Sequence, residues 1–344
     1  MEQTVQPGQA GRALQISAPD AGPNSANPNS ADLNQVQRIA DDMRTAIESV
    51  IEGKRDQIDT MLTVLFAGGH LLVQDVPGVG KTMLAKALGK SLDASVRRIQ
   101  FTPDLLPSDV IGVSVFNQQS REFEFKPGGI FANVVLGDEI NRASPKTQSA
   151  MLEAMAEQQI SVDGVTMPLP APFIVIATQN PIEMEGTYPL PEAQRDRFMA
   201  CIEMGYPPRK AELKMLDAHG AANPLAALRP VTDAASVVSC MAEVSKVYVA
   251  DNVKGFILDI IDATRSAEQL RLGASPRAGL HLLRAARSRA ALQGRSFVTP
   301  DDVLALVEPV LAHRLLPAAR ASARLDTNEL VRQLAADVPV PQIR

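Results

Sequence analysis

The sequence predicts an α/β protein, a parallel sheet with helices on both faces, followed by a small all-helical domain. Three observations predict it. Apolar runs at Leu71-Leu72-Val73, Val134-Val135-Leu136 and Phe173-Ile174-Val175-Ile176-Ala177 read as strands buried on both sides, with helical patterns between them. A glycine turn, Asp75-Val76-Pro77-Gly78-Val79-Gly80-Lys81-Thr82, joins the first run to a helix with Leu84, Ala85, Leu88 and Leu92 on one face. Beyond Tyr206-Pro207-Pro208, where paired prolines break helix and sheet alike, the remaining patterns are helical.

In chain order, residues 1–33 are rich in Pro, Gly, Asn, Ser and Ala and carry too little apolar surface to offset the entropy of ordering, so a disordered tail is expected. Gln35 to Arg55 reads as a helix, followed by the apolar face Met61, Leu62, Val64 and Leu65. The α/β core is assigned to 34–205, a linker to 206–228 and a helical lid to 229–344. In the core, Ser144 caps and Pro145 opens a helix carrying Met151, Leu152 and Met155. Two β-hairpins interrupt it. One spans Val113 to Lys126, with Phe123 and Phe125 on one face. The other pairs Ile160-Ser161-Val162 with Val165-Thr166-Met167 across the tight-turn dipeptide Asp163-Gly164. In the lid, Ser275 caps and Pro276 starts a helix on which Leu280, Leu283 and Ala286 are expected to face inward. Thr299-Pro300 starts another, with Asp302 at the capping-box position.

Strand, glycine turn and helix make the context of a phosphate-binding loop, whose backbone N–H groups and helix N-terminus cradle phosphate oxygens. Asp75, Val76, Pro77, Gly78, Val79, Gly80, Lys81, Thr82 and Met83 are the candidate nucleotide contacts. Lys81 is placed to reach the terminal phosphates and the Thr82 hydroxyl to ligate Mg²⁺. Asp75 stands where the strict pattern wants glycine. The second apolar run ends in Asp138-Glu139, at the carboxyl end where open parallel sheets bind ligands. Asp138 is the candidate metal-side carboxylate, and Glu139 the candidate general base for an attacking water. Asn180 follows the third run, placed to hydrogen-bond that water or the terminal phosphate. Arg195, Arg197 and Arg277 carry guanidinium groups of the kind that neutralise a transferring phosphoryl group, an effect worth roughly 10³–10⁵ in rate. Taken singly, each also reads as a surface ion pair.

Together these segments, with Phe101-Thr102-Pro103-Asp104, Lys146-Thr147-Gln148-Ser149, Gly186-Thr187-Tyr188-Pro189 and Gly273-Ala274-Ser275-Pro276-Arg277, resemble the MoxR family of AAA+ ATPases over about residues 35 to 315. The departure at Asp75 is shared with that family. The resemblance implies an AAA+ P-loop NTPase core with two hairpin inserts and a lid, binding ATP between core and lid with Mg²⁺. It implies Walker A roles for Lys81 and Thr82, Walker B roles for Asp138 and Glu139, and sensor roles for Asn180 and Arg277. Arg197 is implied as the finger reaching the next subunit, with Arg195 and Arg142 as alternatives. A hexameric ring is implied. So is a chaperone-like remodeller that assembles, activates or metallates a client complex beside a von Willebrand factor A domain partner.

Composition sets bounds on these expectations. The 344 residues carry a net charge of −5, no tryptophan, two cysteines and four histidines. That balance argues against a general nucleic-acid binder, a disulfide framework or a zinc site. No apolar run reaches the roughly 20 residues of a membrane helix and no secretory pattern opens the chain, so a cytoplasmic protein without membrane insertion is expected. A nucleic-acid motor or loader is the alternative, supported only by the lid arginines Arg265, Arg271, Arg277, Arg284, Arg287, Arg289 and Arg295. A nucleotide-gated scaffold with little turnover is a third, and Glu139 argues against it.

Overall fold

The computed structural model describes residues 30–75, 78–180, 187–210, 212–213, 224–318 and 325–341. Of the tail, only 30–33 is described, and it is the first turn of α1 (Ser30–Glu48), with Leu33 buried. The Ser, Asn and Asp residues that gave this stretch a disordered composition are also those that favour helix starts.

Five parallel strands form the sheet: β1 (Leu71–Gln74), β2 (Val96–Gln100), β5 (Val134–Asp138), β8 (Ile174–Gln179) and β9 (Ala200–Ile202), in the order β2-β5-β8-β1-β9. The two edges, β2 and β9, lack the continuous apolar run that marked the central three. β2 is Val-Arg-Arg-Ile-Gln, exposed at both arginines, and β9 is three residues long. Alternation along each strand splits the apolar residues between two layers. Leu71, Val73, Leu136, Ile176 and Ile202 face α1, α2 (Arg55–Phe66) and α3 (Lys81–Ser91). Leu72, Val135, Val175 and Ala177 face α5 (Pro145–Glu157), Phe101 and Phe198. The four α3 residues expected inward, Leu84, Ala85, Leu88 and Leu92, are all buried.

A short α4 (Pro107–Ile111) precedes the first hairpin, β3 (Gly112–Asn117) with β4 (Glu122–Pro127). Phe125 packs on Phe131, ring centroids 5.6 Å apart. Phe123 is 74% exposed, its ring edge-on to Phe116. The second hairpin, β6 (Gln159–Val162) with β7 (Val165–Pro168), turns at Asp163 and Gly164, both at positive φ, as its dipeptide requires. α6 (Glu192–Arg195) leads into β9.

After α7 (Pro224–Ala227) come α8 (Ala234–Ser245), α9 (Asp251–Ser266), α10 (Pro276–Leu292), α11 (Pro300–Leu311) and α12 (Thr327–Asp337). Among the described residues the lid is helical apart from an antiparallel pairing of β10 (Leu270–Leu272) with β11 (Leu316–Pro317) and an isolated bridge between Tyr248 and Phe297. Ser275 and the Thr299–Asp302 capping box close their helices as expected. The inward stripe of α10 is Ala278, Leu282, Ala285 and Ala286, whereas Leu280 is exposed. Leucines lie on more than one side of this helix, and packing decides which stripe is buried. The lid helices pack on α1, α2 and edge strand β9, while α3, which carries the glycine loop, meets α1 and α7. No described helix is long and apolar enough to cross a membrane.

Candidate nucleotide site

The tips of β5, β8 and β1 lie side by side at the carboxyl edge of the sheet. The expected acidic strand is not the direct neighbour of β1, because β8 lies between them. The β1 tip carries the glycine loop. Gly78 and Gly80 have φ of 87° and 98°, and a Cβ at either would meet nothing within 4 Å. Backbone conformation, not crowding, therefore demands glycine there. Lys81 and Thr82 open α3, and the Lys81 ammonium donates to the Asp75 carbonyl at 2.8 Å. The Asp75 carboxylate turns from the loop to accept from Gly205 N–H at 2.5 Å, tying the ends of β1 and β9 together. Val76 and Pro77 lie outside the described residues. Gly78, Val79 and Met83 lie in the loop and the first turn of α3.

At the β5 tip the two acids have separate environments. Thr178 Oγ1 donates to Asp138 Oδ1 at 2.6 Å, and the Arg98 guanidinium holds Oδ2 at 2.6 Å. The Glu139 backbone N–H donates to the same Thr178 oxygen at 2.9 Å. Glu139 sits at φ 55°, a left-handed conformation uncommon for a residue with a side chain. Gln100 Nε2 donates to Glu139 Oε2 at 2.9 Å, and Arg142 pairs with that oxygen at 3.1 Å. Asn180 is buried just past β8. Thr178, Gln100 and Arg98 were not singled out in the sequence. Thr178 and Gln100 share a signal, a polar residue near the carboxyl end of a strand that pairs with the acidic one, whereas Arg98 lies mid-strand on β2.

The arginines divide. Arg195 lines a cavity of about 420 Å³ with Gln74 and Gln179, beside the tips of its own β1 and β8. Arg197 donates from Nη1 to the Leu152 carbonyl on α5 at 2.7 Å. The Arg277 guanidinium pairs with Asp196 at 3.9 Å. Asp196 is linked through Arg314 to the Phe198 carbonyl, and Met199 N–H bonds to the His70 carbonyl just ahead of β1. Further along α10, Arg284 donates to the carbonyls of Ala67 and Gly68. The middle of α10 thus lies toward the amino ends of the strands, while its start, at Ser275 and Pro276, shares a cavity with Glu192 and Asp196. The steps from His70 to Asp75 span roughly 16 Å of extended chain.

A parallel sheet with a glycine phosphate loop at one strand tip, an acidic pair two strands away and a helical lid defines an AAA+ ATPase. Residues 70–200 match the ATPase family associated with various cellular activities (AAA), and residues 262–334 match the AAA lid domain. The chain is 38% identical over 336 residues to Chaperone MoxR1 of Mycobacterium tuberculosis, covering 95% of this chain and 88% of that one. It is 48% identical over 297 residues to an uncharacterized protein, YeaC, of Bacillus subtilis, covering 86% and 92%. A crystal structure of a candidate ATPase from Cytophaga hutchinsonii superposes with a TM-score of 0.84 at 34% identity, covering 91% and 98%. The chain belongs to the MoxR family of AAA+ ATPases.

Proposed function

We propose that the chain binds ATP at the β1, β8 and β5 tips and hydrolyses it with arginines from a neighbouring copy, to remodel a client protein. One observation carries this reading. Lys81, Thr82, Asp138, Glu139 and Asn180 are borne by three adjacent strand tips, while Arg197 and Arg277 are held elsewhere by Leu152 and Asp196. A completed site then needs a second subunit. Arg195, beside its own strand tips, fits the trans role less well than Arg197, and Arg142 is engaged with its own Glu139.

The residues fit Mg²⁺. Thr82 and Asp138 offer hard oxygen donors, and the described residues hold no cluster of three or more acids, histidines or cysteines that would cage a metal. Mg²⁺ prefers one or two protein oxygens with phosphate and water. When bound, it would neutralise charge on the phosphate oxygens. Loop amides and the Lys81 ammonium bind the phosphates. Glu139 takes the proton of the attacking water at its carboxylate, with Gln100 and the left-handed backbone aiming it. Asn180 hydrogen-bonds the water or the terminal phosphate. The neighbour's guanidinium groups meet the charge that develops.

A relative bears the name chaperone, which supports work on a protein. A hexameric ring and a von Willebrand factor A domain partner belong to this proposal. A nucleic-acid role draws little support from the lid arginines. Arg265 pairs with Asp262, Arg289 and Arg295 with Asp302, and Arg284 binds carbonyls.

Mixing tests the shared site. Lys81→Ala should lose ATP affinity, and Arg197→Ala should bind ATP but hydrolyse it at least about tenfold more slowly. Their mixture should regain part of the activity, since one mixed interface holds an intact loop and an intact arginine. No recovery in verified mixed oligomers would remove Arg197 from the trans role.

A further inference from the structure

Asp196 lies between two arginines in sequence and at a four-way junction in space. Its carboxylate accepts from Ser275 Oγ at 2.9 and 3.0 Å and pairs with Arg314 at 2.5 Å and Arg277 at 3.9 Å. Arg314 is 4% exposed and also donates to the carbonyls of Asp196, Phe198 and Val310 and to His281 Nδ1. The pairs differ in kind. Arg314 is buried and saturated with acceptors, so breaking it is costly. Arg277 is half exposed at the long limit of an ion pair, a contact worth little in itself and easily exchanged. Ser275 caps α10, so Asp196 also sets its charge against the positive end of that helix. The neighbouring residue Arg197 is fixed on Leu152.

We propose that Asp196 is a positioning residue for ATP hydrolysis in the adjoining subunit: it docks the start of α10 on the α6–β9 segment, so that Arg277 is presented beside Arg197, which the Leu152 carbonyl holds. The proposal rests on the trans-arginine reading above. Asp196 keeps Arg314 as a fixed anchor and gives up Arg277 when a neighbour's phosphate competes for it. Prior placement of both guanidinium groups removes orientational freedom that hydrolysis would otherwise have to freeze out.

A double-mutant cycle on the assembled protein separates this from a purely structural role. kcat and KM for ATP are measured for wild type, Asp196→Asn, Arg277→Ala and the double variant, with oligomer size checked by sedimentation. Arg277→Ala is expected to lower kcat about tenfold or more, with KM within about twofold. Asp196→Asn should lower kcat about fivefold or more, yet cost less than about twofold once Arg277 is absent. Should Asp196→Asn fail to fold, Asp196→Glu carries the same cycle, since it keeps the charge for Arg314 but moves the carboxylate. Multiplicative losses, with Arg277→Ala impaired, would overturn the positioning role alone. An unimpaired Arg277→Ala would overturn both that role and the reading it rests on.

Discussion

Thr178 shows how much depends on one hydroxyl. It donates to Asp138 and accepts from the Glu139 amide, so one oxygen fixes both acids. Thr178→Val keeps the shape but leaves the Asp138 oxygen and the Glu139 N–H unsatisfied, each costing about 1–3 kcal/mol if buried. ATP turnover should fall at least about tenfold while nucleotide affinity is largely kept; steady-state kinetics against a binding titration checks this. Glu139→Gln should keep ATP affinity within a few-fold and lower kcat by about 10²–10⁴, the usual worth of a general base. Unchanged single-turnover rates would remove Glu139 from the chemistry. The same variant held in ATP is the bait for identifying a client. At this scale the sequence offers the loop and the acidic pair as candidates, because their residue types are tied to chemistry. Thr178, Gln100 and Asp196 escaped because their roles lie in the partners they meet.

At the scale of elements, helix α3 and strand β2 meet through a glycine. A Cβ on Gly89 would stand 2.0 Å from Val96 Cγ2 on the edge strand. Val96 is β-branched and stiff at χ1, so it has little room to give. Gly89→Ala, despite its better helix propensity, should destabilise by about 1–3 kcal/mol, as overpacking does. Denaturant midpoints compare the two; equal midpoints would show that the α3–β2 contact yields. The edge strands β2 and β9 were invisible to apolar patterning, since one is half polar and the other takes its place only by pairing with β1. On α10, Ala286 is buried and Leu283 partly buried as expected, while Leu280 was misplaced for a similar reason. The leucines of this helix do not lie on one face, and only contact with α1, α2, α8, α9 and α11 selects one.

Across the whole molecule, imidazoles are locked neutral in the seam between core and lid. His70 is fully buried, its Nδ1 accepting from Val175 N–H and its Nε2–H donating to the Met155 carbonyl. Burial brings its pKa down to about 4. His281 is brought to about 3, first by burial and then by the Arg314 charge, and His313 is lowered well below its ordinary value by burial. Below about pH 6.5 the unfolded chain takes up protons that the folded chain refuses, so stability is held above that pH and lost as pH falls toward about 4. Each such ring adds about 1.4 kcal/mol per pH unit to the slope. Urea unfolding between pH 7 and 5 should show this decline. A flat profile would mean that these rings are charged in the fold.

The loop glycines, the Asp163-Gly164 turn and the helix caps were determined by sequence alone, because each rests on backbone conformation or contacts within a few residues. Tertiary structure decided the order β2-β5-β8-β1-β9, which seats β8 between the loop strand and the acidic strand. It also decided the position of the lid, which takes Arg277 to Asp196. Backbone conformation and capping are local, whereas the reach of a side chain across a sheet depends on which surfaces pack together.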